Sequence, residues 1–185
     1  MILRDIKIEK LIHRGLGLGF QDGKTIMVYY SIPSEVVDAE IIMTKKSHII
    51  AKSVQIKERS PFRVDPLCPY YMRCGGCQLM HIEYNKQFEY KLEILLELFS
   101  RAKLPRNIPV KRIPSHPDTN YRLRAQFFVR DAKVGFTEFN SNNFIKIDNC
   151  HICHQKINEA LQKLNSNISS IVLNRLYVAT DGYNI

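Results

Sequence analysis

No stretch of the 185-residue sequence approaches the roughly 20 consecutive apolar residues that a bilayer-crossing helix needs, which excludes a helical membrane span. The opening residues Met1-Ile2-Leu3-Arg4-Asp5 lack the apolar core of a secretory signal peptide, so the expected address is the cytoplasm. A sixth cysteine is missing. Five thiols cannot all pair, and in a reducing compartment thiols serve metal or redox chemistry rather than stapling. Also missing is a Gly-rich loop set between a strand and a helix. Gly15-Leu16-Gly17-Leu18-Gly19 has neither the spacing to its third glycine nor the following helix that a cofactor-binding unit requires. Acidic side chains are the minority, 18 against 27 Lys and Arg, for a net charge of +9. That excess is the footprint of a chain that meets phosphates, and its bland counterpart is a solvated basic surface. With 45% hydrophobic residues the chain is not disordered, and its length suits one good core or two small ones.

What is present in concentrated form is sulfur. Cys68-Pro69-Tyr70-Tyr71-Met72-Arg73-Cys74-Gly75-Gly76-Cys77 holds three cysteines, and the two glycines are expected to let the backbone double back so that the sulfurs face one centre. Zinc sites pair two short knuckles, whereas Cys68-x5-Cys74-x2-Cys77 offers three clustered thiolates and needs a distant fourth, as iron-sulfur sites often do. Cys150 and Cys153 are the candidates for that fourth ligand. They also create a rival, a four-thiolate zinc site of Cys74, Cys77, Cys150 and Cys153, although the gap between those knuckles far exceeds the about 15–20 residues of a zinc ribbon. His81, His151 and His154 are further possible ligands, each more commonly a hydrogen-bonded or surface histidine.

Residues 1–60 read as short strands, with Thr25-Ile26-Met27-Val28-Tyr29-Tyr30, Val36-Val37-Asp38-Ala39-Glu40-Ile41-Ile42 and Ile49-Ile50-Ala51-Lys52-Ser53-Val54-Gln55-Ile56 as the clearest. So many strands in so short a span predict a small OB-like β-barrel, or its SH3-like counterpart, with Lys45 and Lys46 in a basic loop. Pro61, Pro66 and Pro69 punctuate the next segment and place the expected domain boundary between 1–60 and 61–185. From Tyr84 to Lys103 the set Tyr84, Phe88, Leu92, Leu95, Leu96 and Phe99 recurs at helical spacing and predicts a scaffold helix buried on that face.

Asn120-Tyr121-Arg122-Leu123-Arg124-Ala125-Gln126-Phe127-Phe128-Val129-Arg130 alternates as a strand, setting Arg122, Arg124, Gln126 and Arg130 opposite Leu123, Ala125, Phe127 and Val129. Guanidinium forks suit phosphates and stack on bases, and Tyr121 and Phe128 are candidate platforms for unpaired nucleotides. The competing reading is an exposed strand whose arginines pair with Asp131 and Glu138. A meander through Val134 and Phe144 returns the chain to Cys150. A helix with the stripe Ile157, Ala160, Leu161 and Leu164 follows, and then a strand over 171–178. The fold class is therefore mainly β with α, a barrel followed by an α+β domain.

Cys68-Pro69 through Cys74-Gly75-Gly76-Cys77 with Gln78 and His81, the Tyr121-Arg122-x-Arg124-Ala125 strand, the Gly135-Phe136 turn-back and Cys150 together resemble the RNA (uracil-5-)methyltransferase family, in particular its iron-sulfur ribosomal-RNA branch. Gly15, Gly17 and Gly19 after Leu11, Ile32-Pro33-Ser34-Glu35 and Ser60-Pro61-x-Arg63 resemble its TRAM domain. The resemblance implies a TRAM domain that holds RNA, a 4Fe-4S cluster on Cys68, Cys74, Cys77 and Cys150, and the first part of a central β-rich domain that helps grip the target. Lys45, Lys46, Tyr121, Arg122, Arg124, Phe128 and Arg130 are the residues expected to contact the RNA. It implies ribosomal RNA before transfer RNA as partner. Where family members commonly carry proline after the fourth cluster cysteine this chain has His151, and Cys153 is extra. In the family, S-adenosylmethionine and the attacking cysteine belong to a C-terminal domain, which this sequence is expected to lack, so that these residues alone are expected to be inactive. Two other readings are a free-standing RNA-binding module with a zinc or cluster knot and, more weakly, a ferredoxin-type carrier, disfavoured by the positive charge.

Overall fold

Ile26 and Val28 are buried between half-buried Thr25, Met27 and Tyr29, and Ile49, Ala51 and Ser53 alternate likewise with His48, Ile50 and Lys52, in the computed structural model, which describes residues 1–105, 107–111, 113, 118–167 and 174–182. Strands dominate, as the sequence predicts. The chain divides into two compact units, but not by a single cut at residue 60: one comprises Met1–Asp65 and Gln78–Arg112, the other Pro66–Cys77 and Ile113–Ile185.

The first unit is built on β1 (Ile2–Lys7), β2 (Lys10–Ile12), β3 (Leu16–Gln21), β4 (Lys24–Tyr29), β5 (Val36–Thr44) and β6 (His48–Glu58) in one sheet of order β1-β5-β6-β4-β3-β2. The strands at its two edges, β1 and β2, are consecutive in sequence with only Ile8 and Glu9 between them. The sheet must therefore curl until its edges meet, and Glu9 N–H donates to the Leu18 carbonyl at 2.8 Å. Where β3 passes β1 there is no room for a side chain, because a Cβ on Gly19 would lie 2.6 Å from the Lys7 carbonyl oxygen. Ile6, Ile8, Ile26, Val28, Val37, Ala39, Ile49 and Ala51 fill the interior.

Helix α1 (Tyr84–Arg101) joins this unit through a second cluster of Leu11, Ile32, Ile82 and Tyr90, with Leu79 and Ile94 against it. That packing is why the boundary does not fall at residue 60. It also corrects the predicted buried face: Leu95, Leu96 and Leu98 are exposed, while Tyr90 is the helix residue that is buried. The helix turns Tyr90 and Ile94 inward, Glu97 from the same side bonds Lys10 at 2.8 Å, and the Lys86 ammonium sits over the Phe62 and Tyr90 rings.

The motif residues Glu35 and Arg63 meet in this unit. Glu35 is fully buried, and its carboxylate accepts bonds from Arg63 Nε and Nη2 at 2.5 and 2.7 Å and from the backbone N–H groups of Ile32 and Ser60. His81 belongs to this unit too. It is buried with a ring nitrogen 3.4 Å from the Ser31 carbonyl, and burial, aided by the Arg63 charge, depresses its pKa to about 3. A neutral core histidine replaces the expected possible ligand.

The second unit holds β7 (Arg124–Arg130), β8 (Lys133–Thr137), β9 (Phe144–Lys146), α2 (Gln155–Asn167) and β10 (Arg175–Ala179), with the antiparallel order β10-β7-β8-β9. Ala125, Phe127, Val134, Ile145, Ile147 and Val178 form its core with Ile157 and Leu161 of α2, and Ala160 and Leu164 pack against it, the predicted stripe. Asn165 completes the join, accepting from Val134 N–H and donating to the Ile147 carbonyl. Residues 171–173 of the predicted last strand lie outside the described residues. The hairpin reversal predicted at Gly135-Phe136 is made by Asp131 and Ala132, both at positive φ, with Gly135 inside β8.

Candidate functional site

Arg122 does not sit in β7. The strand begins at Arg124, and the residues before it pair instead with the Cys150 turn: Arg122 N–H donates to the Ile152 carbonyl at 2.7 Å, and His154 N–H to the Arg122 carbonyl at 2.9 Å. Its side chain consequently faces a cavity of about 230 Å³ lined by Cys68, Cys74, Cys77 and Cys150, with Phe128, Phe136, Ile147 and Ile152 among the apolar walls. Cysteines from two distant stretches of the chain thus share one pocket.

Local hydrogen bonds explain how. Tyr71 N–H donates to Cys68 O and Cys74 N–H to Tyr70 O, winding the segment into tight turns. Gly75 N–H donates to Thr137 O and Phe139 N–H to Arg73 O, pinning it to the end of β8. Tyr70 Oη donates to Asp148 Oδ2 at 3.2 Å and ties the segment to the approach to Cys150. Gly75 and Gly76 do not have the role expected of them. Neither has positive φ, and a Cβ on either would meet its nearest neighbour at 3.6 and 3.5 Å, ordinary contact; it is Met72, at φ 65°, that takes the left-handed turn.

Cys150 is held by Asn158, whose Oδ1 accepts from Cys150 N–H at 2.9 Å and whose Nδ2 donates to the carbonyls of Cys150 and Cys153. Sequence reasoning missed Asn158 because its partners are backbone atoms. Cys153 is fully buried in the hydrophobic core and does not line the cavity, nor do His81, His151 or His154. The four cavity thiols differ in acidity. Burial raises the pKa of Cys68 and Cys74 and pushes Cys77 up to about 11. Cys153, with the Ile152 and Cys153 N–H groups, holds the Cys150 pKa below the usual thiol range, and the Arg122 charge favours the thiolate of Cys74, Cys77 and Cys150. Among the described residues no three His, Cys, Asp or Glu side chains converge tightly enough for one metal ion.

The predicted RNA-contact residues are dispersed. Lys45 and Lys46 are exposed between β5 and β6 in the first unit, whereas Tyr121, Arg124 and Arg130 are exposed in the second. Phe128 is half-buried, with the Arg175 guanidinium 5.4 Å from its ring centre. Register pairs Arg175 with Phe128 and Tyr177 with Gln126, so these side chains share the face that carries Arg124 and Arg130, and Tyr177 is 73% exposed. Alternation in Arg175-Leu176-Tyr177-Val178 was the signal that could have found them.

Fold and site together define a mainly β protein with a basic strand face and a pocket of four cysteines. No protein-family model matches the chain. It is 34% identical over 157 residues to an uncharacterized RNA methyltransferase of Aquifex aeolicus, covering 84% of this chain and 37% of that protein. Against the 23S rRNA (uracil(1939)-C(5))-methyltransferase RlmD of Legionella pneumophila the figures are 34% over 174 residues, 89% and 39%. Among solved structures, the Pyrococcus abyssi tRNA (uracil-54, C5)-methyltransferase in complex with S-adenosyl-L-homocysteine matches with a TM-score of 0.66 and 26% identity, covering 89% of this chain and 36% of that one. The chain is homologous to part of the RNA (uracil-5-)methyltransferases and spans a little over a third of their length. Among the described residues no helix is long and apolar enough to cross a membrane.

Proposed function

We propose that this chain is the RNA-holding and cofactor-bearing part of an S-adenosylmethionine-dependent RNA (uracil-5-)methyltransferase that acts on ribosomal RNA in the cytoplasm. The observation that carries the reading is the similarity to such enzymes along nearly the whole chain, with a relative named for 23S rRNA at 34% identity. The curled sheet is the TRAM-type domain in this reading, with Lys45 and Lys46 toward RNA. In the second unit Tyr121, Arg124, Phe128 and Arg130, extended by Arg175 and Tyr177, form the face for phosphates and unpaired bases.

Cys68, Cys74, Cys77 and Cys150 hold a 4Fe-4S cluster. The donor set fits: four soft thiols line one cavity, and a guanidinium lines it too, facing the negative charge that four thiolates bring. The zinc alternative requires Cys153, which is in the core. Bound there, the cluster supplies a covalent tie between residues 68–77 and Cys150 across a long loop, and it keeps those thiols deprotonated. Arg122, instead of contacting RNA directly, balances charge at the cavity. Methyl transfer belongs to the whole protein.

Iron, acid-labile sulfide and zinc content of chain purified without oxygen, with its visible spectrum, tests the proposal. Four irons and four sulfides per chain, roughly, are expected with broad visible absorption. One zinc and no sulfide would overturn the cluster and favour the free-standing binding module.

A further inference from the structure

Cys153 has no task in the proposed cluster, yet it is placed with care. Its N–H donates to the Cys150 carbonyl at 3.0 Å, so Cys150 and Cys153 are the two ends of one four-residue turn. Such turns bring their end Cα atoms within about 7 Å, which overlaps the roughly 4.4–6.8 Å that a disulfide spans. Asn158 donates to the carbonyls at both ends of the turn and so holds the turn's backbone in place. Access is unequal: Cys150 is partly exposed on the cavity wall, whereas Cys153 is fully buried.

We infer that Cys150 and Cys153 are a reversible dithiol–disulfide pair, closed by a low-molecular-weight disulfide when the cavity holds no cofactor. The Cys150 thiolate on the cavity wall attacks one sulfur of the small disulfide RS–SR. That S–S bond breaks, RS⁻ departs and a mixed disulfide remains on Cys150. The Cys153 thiol then gives its proton to the departed RS⁻ and its sulfur attacks Cys150 Sγ, expelling the second RS⁻, which takes the proton originally on Cys150. Two protein thiols are oxidised to one disulfide, and RS–SR is reduced to two RSH. Only Cys150 meets the small molecule, and Cys153 resolves it from inside the core.

The disulfide stands on this geometry alone. Its consequence rests on the proposed cluster: oxidation removes Cys150 from the ligand set, so a chain that has lost its cofactor is held closed to reloading until it is reduced.

Trypsin separates the thiols for the test. Cys68 falls in peptide 64–73, Cys74 and Cys77 in 74–86, and Cys150 with Cys153 in 147–156. Metal-free, fully reduced protein is incubated with oxidised glutathione, quenched in acid, alkylated, digested and weighed. The expected first product is peptide 147–156 lacking both alkyl groups and two hydrogens, with the other two peptides still fully alkylated. Cys153→Ser is expected to stop at a glutathione adduct on Cys150, and Cys150→Ser to leave Cys153 unmodified. A first disulfide within 74–86 or involving Cys68, or an adduct on Cys153 in Cys150→Ser, would overturn the inference, and the unsubstituted protein decides it even if neither variant folds. In a second arm, reduced and oxidised protein are offered iron and sulfide without oxygen. Uptake only by the reduced form supports the gating, and equal uptake overturns it. Uptake by neither defeats the cluster reading and leaves the disulfide to the peptide map.

Discussion

Arg63 grips Glu35 with both Nε and Nη2, at 2.5 and 2.7 Å, while Nη2 also donates to the Tyr30 carbonyl at 2.9 Å. Two sequence motifs that look separate on paper are thereby one buried contact. Arg63→Ala leaves a fully buried carboxylate without its counter-charge and is expected to cost about 3–5 kcal/mol in urea unfolding. The double variant Glu35→Met with Arg63→Met is expected to be less destabilised than Arg63→Ala. If Arg63→Ala unfolds within about 1 kcal/mol of the parent, the pair is not a structural clasp.

His81 makes stability fall with acid. Its folded pKa of about 3 lies below the unfolded value near 6.5, so the unfolded chain takes up the proton first. The stabilisation is complete above about pH 6.5 and declines as pH falls toward 3, with a slope approaching about 1.4 kcal/mol per pH unit. His81→Gln is expected to flatten that slope between pH 6.5 and 4.5, read from denaturant midpoints. An unchanged slope would assign the acid sensitivity to other groups.

Asn158 is expected to be the second unit's most sensitive polar residue. Asn158→Leu strands the Cys150 N–H and the Cys153 carbonyl, while the Cys150 carbonyl keeps the Cys153 N–H, and is expected to cost about 1–3 kcal/mol for each buried group left unsatisfied. Asn158→Asp keeps the acceptor and loses the donor, so an intermediate loss is expected. Equal stability of all three forms would mean that water replaces the side chain.

Arg122 and the strand arginines separate by salt. Arg124→Ala with Arg130→Ala is expected to reduce the log–log salt slope of RNA affinity by roughly one to two. Arg122→Ala is expected to leave that slope nearly unchanged and to lower iron retention instead. A slope loss from Arg122→Ala equal to that of the strand pair would return it to the RNA face.

Cys150→Ser is expected to abolish iron and sulfide binding, while Cys153→Ser is expected to retain both, measured on protein handled without oxygen. The reverse pattern would make Cys153 the ligand.

Periodicity made part of this molecule legible. Ile157, Leu161 and the alternation of Ala125 with Phe127 follow from spacing alone, because one face of each element is fully covered. The most apolar stripe of helix α1 is not its packed one: Tyr90 and Ile94 face the core, with the Lys86 ammonium over the Tyr90 ring, while Leu95, Leu96 and Leu98 stay exposed. The cysteines announced a shared site through density, but Arg122 could not be assigned to it. One bridge to Ile152 and His154, invisible in the local pattern, ended the strand early and redirected the side chain. Glu35 and Arg63 were each visible in a motif, yet nothing in the spacing joined them.

The interleaving of the two units sets a timetable for biosynthesis. Cys68, Cys74 and Cys77 leave the ribosome before helix α1, and Cys150 emerges only after the whole of β9. Residues 1–112, which supply the whole of the first unit, are all made before Cys150, so the cysteine pocket cannot be completed until that unit's sequence is finished. A chain interrupted between residues 113 and 149 would therefore carry all of the first unit together with three thiols that lack Cys150, open to oxidation.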